Sequence, residues 1–191
     1  NDPTAWQRLV DLYLSKAVLE GSRVDQAAFD ATTQAGKLAP KRPELLLELA
    51  RLHIYSNNAP AAQAVLRELL KNIPKNTDAQ IQLGLIDWYT GNVDEALSLG
   101  EQALALGFVP RQAREIEWLG QAYKKMNNWN RAIDIYQLTV KAEPNNMELY
   151  WELDQLYAQV GRVQKAKNIT SAMANYDKTR APEMQKVVKS L

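Results

Sequence analysis

The fold is decided by the stretch Trp118-Leu119-Gly120-Gln121-Ala122-Tyr123, which is followed at fixed distances by Ala132, Tyr136 and Pro144. Along the chain, the same residue types return about every 34 positions. They are Pro40, Pro74, Pro110 and Pro144; Leu49, Leu83, Leu119 and Leu153; and Ala62, Ala96, Ala132 and Ala166. Because three residue types share one period, the chain is predicted to consist of structural repeats.

Each repeat has turn-forming residues at the same offset between two helical patterns. They are Asn57-Asn58, Gly91-Asn92, Asn127-Asn128 and Gly161. Each repeat is therefore predicted to be a helix, a short turn and a second helix. Small residues such as Ala50, Gly84 and Gly120 follow the recurring leucines, where a larger side chain would push two crossing helices apart. Asp154 is the exception at this position.

This pattern resembles the tetratricopeptide repeat family, whose unit is a helix hairpin of about 34 residues. The resemblance covers about residues 40–179 and implies an all-α, right-handed solenoid of about five helix hairpins plus a C-terminal capping helix. We expect a single domain over residues 1–191, with hairpins at about 3–39, 43–73, 77–108, 111–143 and 146–178 and a capping helix at 182–190. The first hairpin is longer than the others, with extra residues around 19–24.

The composition is that of a folded chain with balanced charge. Of 191 residues, 46% are hydrophobic, and 23 Lys+Arg against 22 Asp+Glu leave a formal net charge of +1. Such a balance provides no cationic surface for nucleic acid, and no run approaches the roughly 18 apolar residues of a membrane-spanning helix. We therefore expect no nucleic-acid binding and no membrane insertion by this segment. The absence of cysteine excludes disulfides, thiol catalysis and zinc-cysteine sites.

The chain begins with Asn1 rather than methionine, which favours a processed protein or a segment of a longer one. The compartment stays open: the domain can be cytoplasmic or an extracytoplasmic part of a membrane-anchored protein. A weaker resemblance, to the soluble repeat tails of bacterial O-antigen-ligase-like membrane proteins, rests on segments 38–44, 84–91, 103–108 and 187–191. This resemblance implies that the chain is an appendage of a glycan-polymerising protein.

The sequence predicts no catalytic residue, no metal site and no cofactor. His53 is the only histidine, and the repeat register places it where other repeats have Asp87, Tyr123 and Tyr157. This face packs against the partner helix, and no second metal ligand accompanies the histidine. Phosphate-loop, zinc-protease and nucleophile-elbow motifs do not occur. We therefore expect a non-enzyme, in which His53 is a packed ring with one hydrogen bond.

The resemblance to tetratricopeptide repeats implies that the first helix of each hairpin lines a concave groove. One stripe of such a helix packs inward, and the other faces the groove. The predicted groove residues are Leu47, Arg51, Ile54, Tyr55, Ile81, Leu85, Trp88, Tyr89, Gln121, Lys124, Lys125 and Trp151. We predict that the aromatic first half takes an apolar side chain of a protein or peptide ligand, and that the two lysines attract an acidic stretch.

Two alternatives stay open for these residues. Ile81 and Leu85 can pack between adjacent first helices, and the aromatic residues can cover their own copies in a symmetric homodimer. Binding of chaperone C-terminal tails, which the family achieves with a clamp of Lys, Asn and Arg, is not predicted. In one register the clamp positions include Glu48, Asp78 and Gln82, which do not supply its cations.

Overall fold

The computed structural model describes residues 26–38 and 42–176, together with residues 5, 8, 9, 12, 13, 15, 16 and 19. Within these residues every regular element is helical and no strand occurs, which confirms the predicted all-α class. The predicted capping helix at 182–190 and most of the first helix of the hairpin at 3–39 lie outside the described residues.

The described part of the chain folds into consecutive α-helices. They are α1 (Gln26–Leu38), α2 (Pro43–Tyr55), α3 (Ala59–Asn72), α4 (Thr77–Thr90), α5 (Val93–Ala105), α6 (Glu117–Lys125), α7 (Trp129–Ala142), α8 (Met147–Gln159) and α9 (Val163–Tyr176). A short 3-10 turn, Ala113–Glu115, precedes α6. The helices pack as hairpins α2–α3, α4–α5, α6–α7 and α8–α9, and α1 packs against α2. We call α2, α4, α6 and α8 the first helices and α3, α5, α7 and α9 the second helices.

The chain divides into two compact units, residues 1–108 and 109–191. In the first unit, helices α2, α3 and α4 supply a core cluster of Ala50, Ala62, Leu66, Leu69, Ala79, Leu83 and Ile86. In the second unit, the fully buried side chains include Ile116, Leu119, Ile133, Ile135 and Tyr136. Each unit therefore has an apolar core of its own. The expected single continuous domain stays a prediction.

The four turns within the hairpins share one backbone geometry. At equivalent positions, Asn57, Gly91, Asn127 and Gly161 have φ angles of 56°, 90°, 56° and 72°. Glycine, and to a lesser degree asparagine, adopts this left-handed conformation at lower cost than other residues. The next amide then donates to a carbonyl five residues earlier, at 2.8–2.9 Å in all four turns. This bond satisfies a carbonyl at the end of each first helix.

The recurring small residues lie where paired helices pack most closely. Ala62, Ala96, Ala132 and Ala166 are fully buried. Gly120 leaves little room, because a Cβ atom built on it would lie 2.8 Å from Cε2 of Tyr136. Helices α6 and α7 therefore approach so closely that a side chain at position 120 would displace a buried aromatic ring.

Asp154 replaces the small residue of the other repeats with a buried carboxyl group. The residue is almost completely buried, and the Thr170 hydroxyl on α9 donates to its Oδ1 at 3.0 Å. Burial raises the pKa of Asp154, and the hydrogen bond from Thr170 opposes that rise. The carboxylate therefore links α8 to α9 but carries its charge in an unfavourable environment.

We expect Asp154→Asn to raise the free energy of unfolding at neutral pH. Because the pKa of Asp154 is higher in the folded chain, the folded state holds this proton more tightly, and the parent gains stability as the pH falls through that pKa. The stability of the asparagine variant has no such pH dependence, and the asparagine side chain can still accept the Thr170 hydrogen bond. Its advantage in urea unfolding should therefore shrink from neutral pH toward about pH 4. Glu68→Gln, at an exposed carboxylate on α3, is the control. An advantage of the asparagine that is independent of pH would contradict the assignment.

Candidate functional site

Two tyrosines protrude from the ends of the first helices in the first unit. Tyr55 is the last residue of α2, and Tyr89 is the residue before the last of α4. Their side chains are 48% and 77% exposed. The two residues occupy the same position in consecutive repeats, so equivalent turns of α2 and α4 present the same aromatic side chain to solvent. Large exposed aromatic side chains are typical of protein-binding surfaces.

The remaining predicted groove residues of this unit are less exposed. Ile81 is only 3% exposed. Leu47 and Ile54 pack against the core cluster of the unit, and Leu85 and Trp88 are half-buried. The structure thus buries Ile81 and leaves the two tyrosines as the most accessible part of the predicted surface in this unit.

Arg51 is held by its own helix. Its Nη2 atom lies 3.0 Å from Oε2 of Glu48, one turn earlier on α2, and the Glu48 side chain is mostly buried. The i, i+3 spacing makes such a pair readable from the sequence. The guanidinium predicted beside the aromatic residues is therefore already neutralised by a carboxylate.

In the second unit, three of the predicted groove residues are exposed. Gln121 and Lys125 on α6 are exposed, and the Trp151 side chain on α8 is 43% exposed. Lys124 differs, because its ammonium group pairs with Glu152 on α8 and lies 5.7 Å from the centre of the Tyr136 ring on α7. Lys124 therefore joins three helices of the unit, a structural role that the sequence did not indicate.

His53 is a packing residue in this structure. Its ring lies 4.9 Å from that of Phe29 on α1, centre to centre, with the planes tilted by 45°. Burial lowers the pKa of His53. The Nδ1 atom is buried and has no hydrogen-bond partner among the described atoms, so the hydrogen bond expected from the sequence is not made at this nitrogen. Within the described ranges, no group of three or more His, Asp and Glu side chains could hold a metal ion.

Asp87, at the same register position as His53, is fully buried at a junction of three helices. Its Oδ1 accepts hydrogen bonds from Gln63 at 2.6 Å, Asn92 at 3.4 Å and Arg67 at 3.5 Å. Arg67 also contacts Glu95 on α5 at 3.3 Å. The network joins α3, α4 and α5, so this carboxylate stabilises the packing of two hairpins.

Among the helices that the structure describes, none is long and apolar enough to cross a bilayer.

Comparison with known families and curated proteins points to one repeat type. Two family models for the tetratricopeptide repeat (TPR) match residues 22–85 and 117–146. BBSome complex member BBS4 of Bos taurus is 30% identical over 142 residues, which are 74% of this chain and 27% of that protein. DnaJ homolog subfamily C member 7 homolog of Schizosaccharomyces pombe is 26% identical over 64% of this chain and 27% of its own length. The chain therefore spans about a quarter of these curated relatives.

Solved structures share the fold. MamA superimposes with a TM-score of 0.64 at 20% identity, covering 94% of each chain. YrrB, a TPR protein with an unusual peptide-binding site, gives a TM-score of 0.68 at 20% identity over 79% of this chain and 77% of its own. The thermophilic TPR protein TTC0263 of Thermus thermophilus gives 0.59 at 20% identity over 97% of each chain. At such identity the likeness concerns the fold alone.

Proposed function

Because this chain is a tetratricopeptide repeat protein, we propose that it is a non-catalytic scaffold that binds a peptide or protein segment on its first helices. The observation that carries the proposal is the pair Tyr55 and Tyr89, exposed at equivalent positions of consecutive repeats. Aromatic side chains at equivalent positions of consecutive repeats suit a ligand that crosses both first helices.

Two similar proteins support the choice of ligand. YrrB has a peptide-binding site, and BBSome complex member BBS4 is named as a member of a protein complex. A peptide or protein partner is therefore the most economical proposal for this chain. The appendage of a glycan-polymerising membrane protein stays a prediction from the sequence.

The proposal treats the domain as a binding module without chemistry of its own. The one histidine packs against Phe29, and the buried carboxylates Asp87 and Asp154 are each hydrogen-bonded within the helix packing. These groups have structural roles that need no substrate. We expect His53→Gln to leave ligand affinity unchanged while lowering stability, as measured by titration calorimetry and thermal unfolding.

The proposal is tested by selecting ligands from a random peptide library displayed on phage. The immobilised chain is the bait, and a Tyr55→Ala, Tyr89→Ala double variant is the counter-bait. We expect to select peptides that bind the parent and do not bind the double variant. A second variant, Ile73→Ala, removes an exposed apolar side chain at the end of α3 and should retain the peptides. If the selected peptides bind all three proteins equally, the first-helix surface is not the ligand site.

Self-association through the same tyrosines is the competing outcome, and sedimentation distinguishes it. The parent and the double variant are compared over a range of concentrations. If the parent forms a dimer that the double variant does not form, the tyrosines serve an interface between two copies, and the ligand-binding proposal is wrong.

A further inference from the structure

The first helices carry more carboxylates than cations, whereas the second helices taken together do not. The first helices carry eight carboxylates, on Glu44, Glu48, Asp78, Asp87, Glu117, Glu148, Glu152 and Asp154, and three cations, on Arg51, Lys124 and Lys125. The second helices carry five carboxylates, on Glu68, Asp94, Glu95, Glu101 and Asp134, and six cations, on Arg67, Lys71, Arg131, Lys141, Lys165 and Lys167. Three of the first-helix carboxylates, Glu48, Asp87 and Asp154, are buried in the helix packing, so the accessible negative charge of the first helices in the first unit comes from Glu44 and Asp78.

Ion pairs reduce the positive charge of the first helices further. Arg51 is paired with Glu48, and Lys124 is paired with Glu152. Each of these pairs joins a cation and a carboxylate that both belong to first helices. Arg51 and Lys124 are therefore engaged with carboxylates and cannot attract an acidic ligand at full strength. The acidic ligand stretch that the sequence favoured thus has little support from the charges of this surface.

In the first unit, carboxylates share helix faces with the exposed tyrosines. Glu44 and Tyr55 are eleven residues apart on α2, about three turns, and so lie on one face about 16 Å apart along the axis. Asp78 and Tyr89 repeat this arrangement on α4. Each first helix of the unit therefore offers an acidic beginning and an aromatic end to the same ligand.

We infer that the ligand of α2 and α4, the first helices of the first unit, is a basic peptide segment, in which lysine or arginine alternates with apolar side chains. This inference rests on the proposed function. The apolar side chains contact Tyr55 and Tyr89, and the basic side chains lie near Glu44 and Asp78. The sign of the charge, rather than the presence of a groove, selects the partner.

The test uses three labelled peptides of equal length, in which leucine alternates with lysine, with glutamate or with serine. Fluorescence anisotropy measures their binding to the full chain at low and at physiological salt. We expect the lysine peptide to bind at least about tenfold more tightly than the glutamate peptide at low salt, with a difference that narrows as salt rises. The Tyr55→Ala, Tyr89→Ala variant should no longer bind the lysine peptide.

Matched charge variants locate the effect. Glu44→Gln should weaken binding of the lysine peptide about 2- to 5-fold, as expected for an exposed ion pair. Glu68→Gln makes the same charge change on a second helix and should leave the affinity unchanged. Equal weakening by both variants would mean a general charge effect and would overturn the inference.

The outcomes separate this inference from the function on which it rests. If the serine or glutamate peptide binds best and depends on the tyrosines, the scaffold function stands and the basic ligand is wrong. If no peptide shows binding that depends on the tyrosines, both fail. A lysine peptide that depends on the tyrosines and on Glu44 supports both.

Discussion

Replacing Gly120 with leucine is expected to lower the free energy of unfolding by about 1–3 kcal/mol. A Cβ atom at this position would lie 2.8 Å from Cε2 of Tyr136, whose side chain is almost completely buried, so the larger leucine can be accommodated only if α6 and α7 separate or the ring moves. Removing a glycine from a helix would by itself raise the free energy of unfolding by up to about 1 kcal/mol. A lower free energy of unfolding for the leucine variant would therefore show that α6 and α7 pack too closely at Gly120 for a larger side chain.

The matched control places the same leucine on the neighbouring residue. Gln121 is exposed on α6, so Gln121→Leu should change the free energy of unfolding by less than about 0.5 kcal/mol. Chemical denaturation followed by circular dichroism measures both variants. If Gly120→Leu is as stable as the parent, α6 and α7 do not cross at this residue and the repeat register is wrong.

The hairpins could be predicted from the sequence because each repeat has the same residue types at its turn and at its helix crossing. Asn57 and Gly91 occupy the left-handed position of their turns, and the alanines at the crossings are buried. These features depend on neighbours within one hairpin, at nearly constant sequence separation. A period of about 34 residues therefore contains most of the information on helix limits and packing.

The partners of charged side chains could not be predicted in the same way. Lys124 pairs with Glu152, which is 28 residues later, and Asp87 accepts hydrogen bonds from Gln63 and Arg67, which are 24 and 20 residues earlier. These separations match neither the helical spacing nor the repeat period. Such pairs depend on how one hairpin packs on the next, which a pattern within the hairpin does not specify.

The exposure of the predicted groove residues could be predicted only in part. Helical periodicity places Leu47, Ile54 and Ile81 on the stripe opposite the inward-packing leucines, yet Ile81 is buried and the other two contact the core cluster. A first helix has neighbours on more than two sides. A residue that faces away from the partner helix of its own hairpin can therefore still contact an adjacent hairpin. Tyr55 and Tyr89 remain exposed because they lie at the helix ends, beside the turns.

Replacing Tyr89 with alanine is expected to weaken ligand binding by about 2 kcal/mol, roughly 30-fold, if the tyrosine is an anchor of the interface. The loss should appear mainly as faster dissociation, because truncation of a contact changes the lifetime of a complex more than the rate of encounter. The side chain is 77% exposed in the free protein, so the free energy of unfolding should change by less than about 0.5 kcal/mol. Binding and stability are thus expected to respond separately at this residue. Trp88, which is half-buried next to it, should affect both when it is replaced by alanine.

Surface plasmon resonance with a peptide obtained from the phage selection measures the two rate constants. Ile73→Ala is the control for the loss of an exposed apolar side chain and should leave both rates unchanged. If Tyr89→Ala slows association and leaves dissociation unchanged, the tyrosine guides encounter without being buried by the ligand. If it changes neither rate while Trp88→Ala weakens binding, the anchor is the indole one residue earlier. The ligand then contacts the half-buried side of α4, and the exposed tyrosine has no part in recognition.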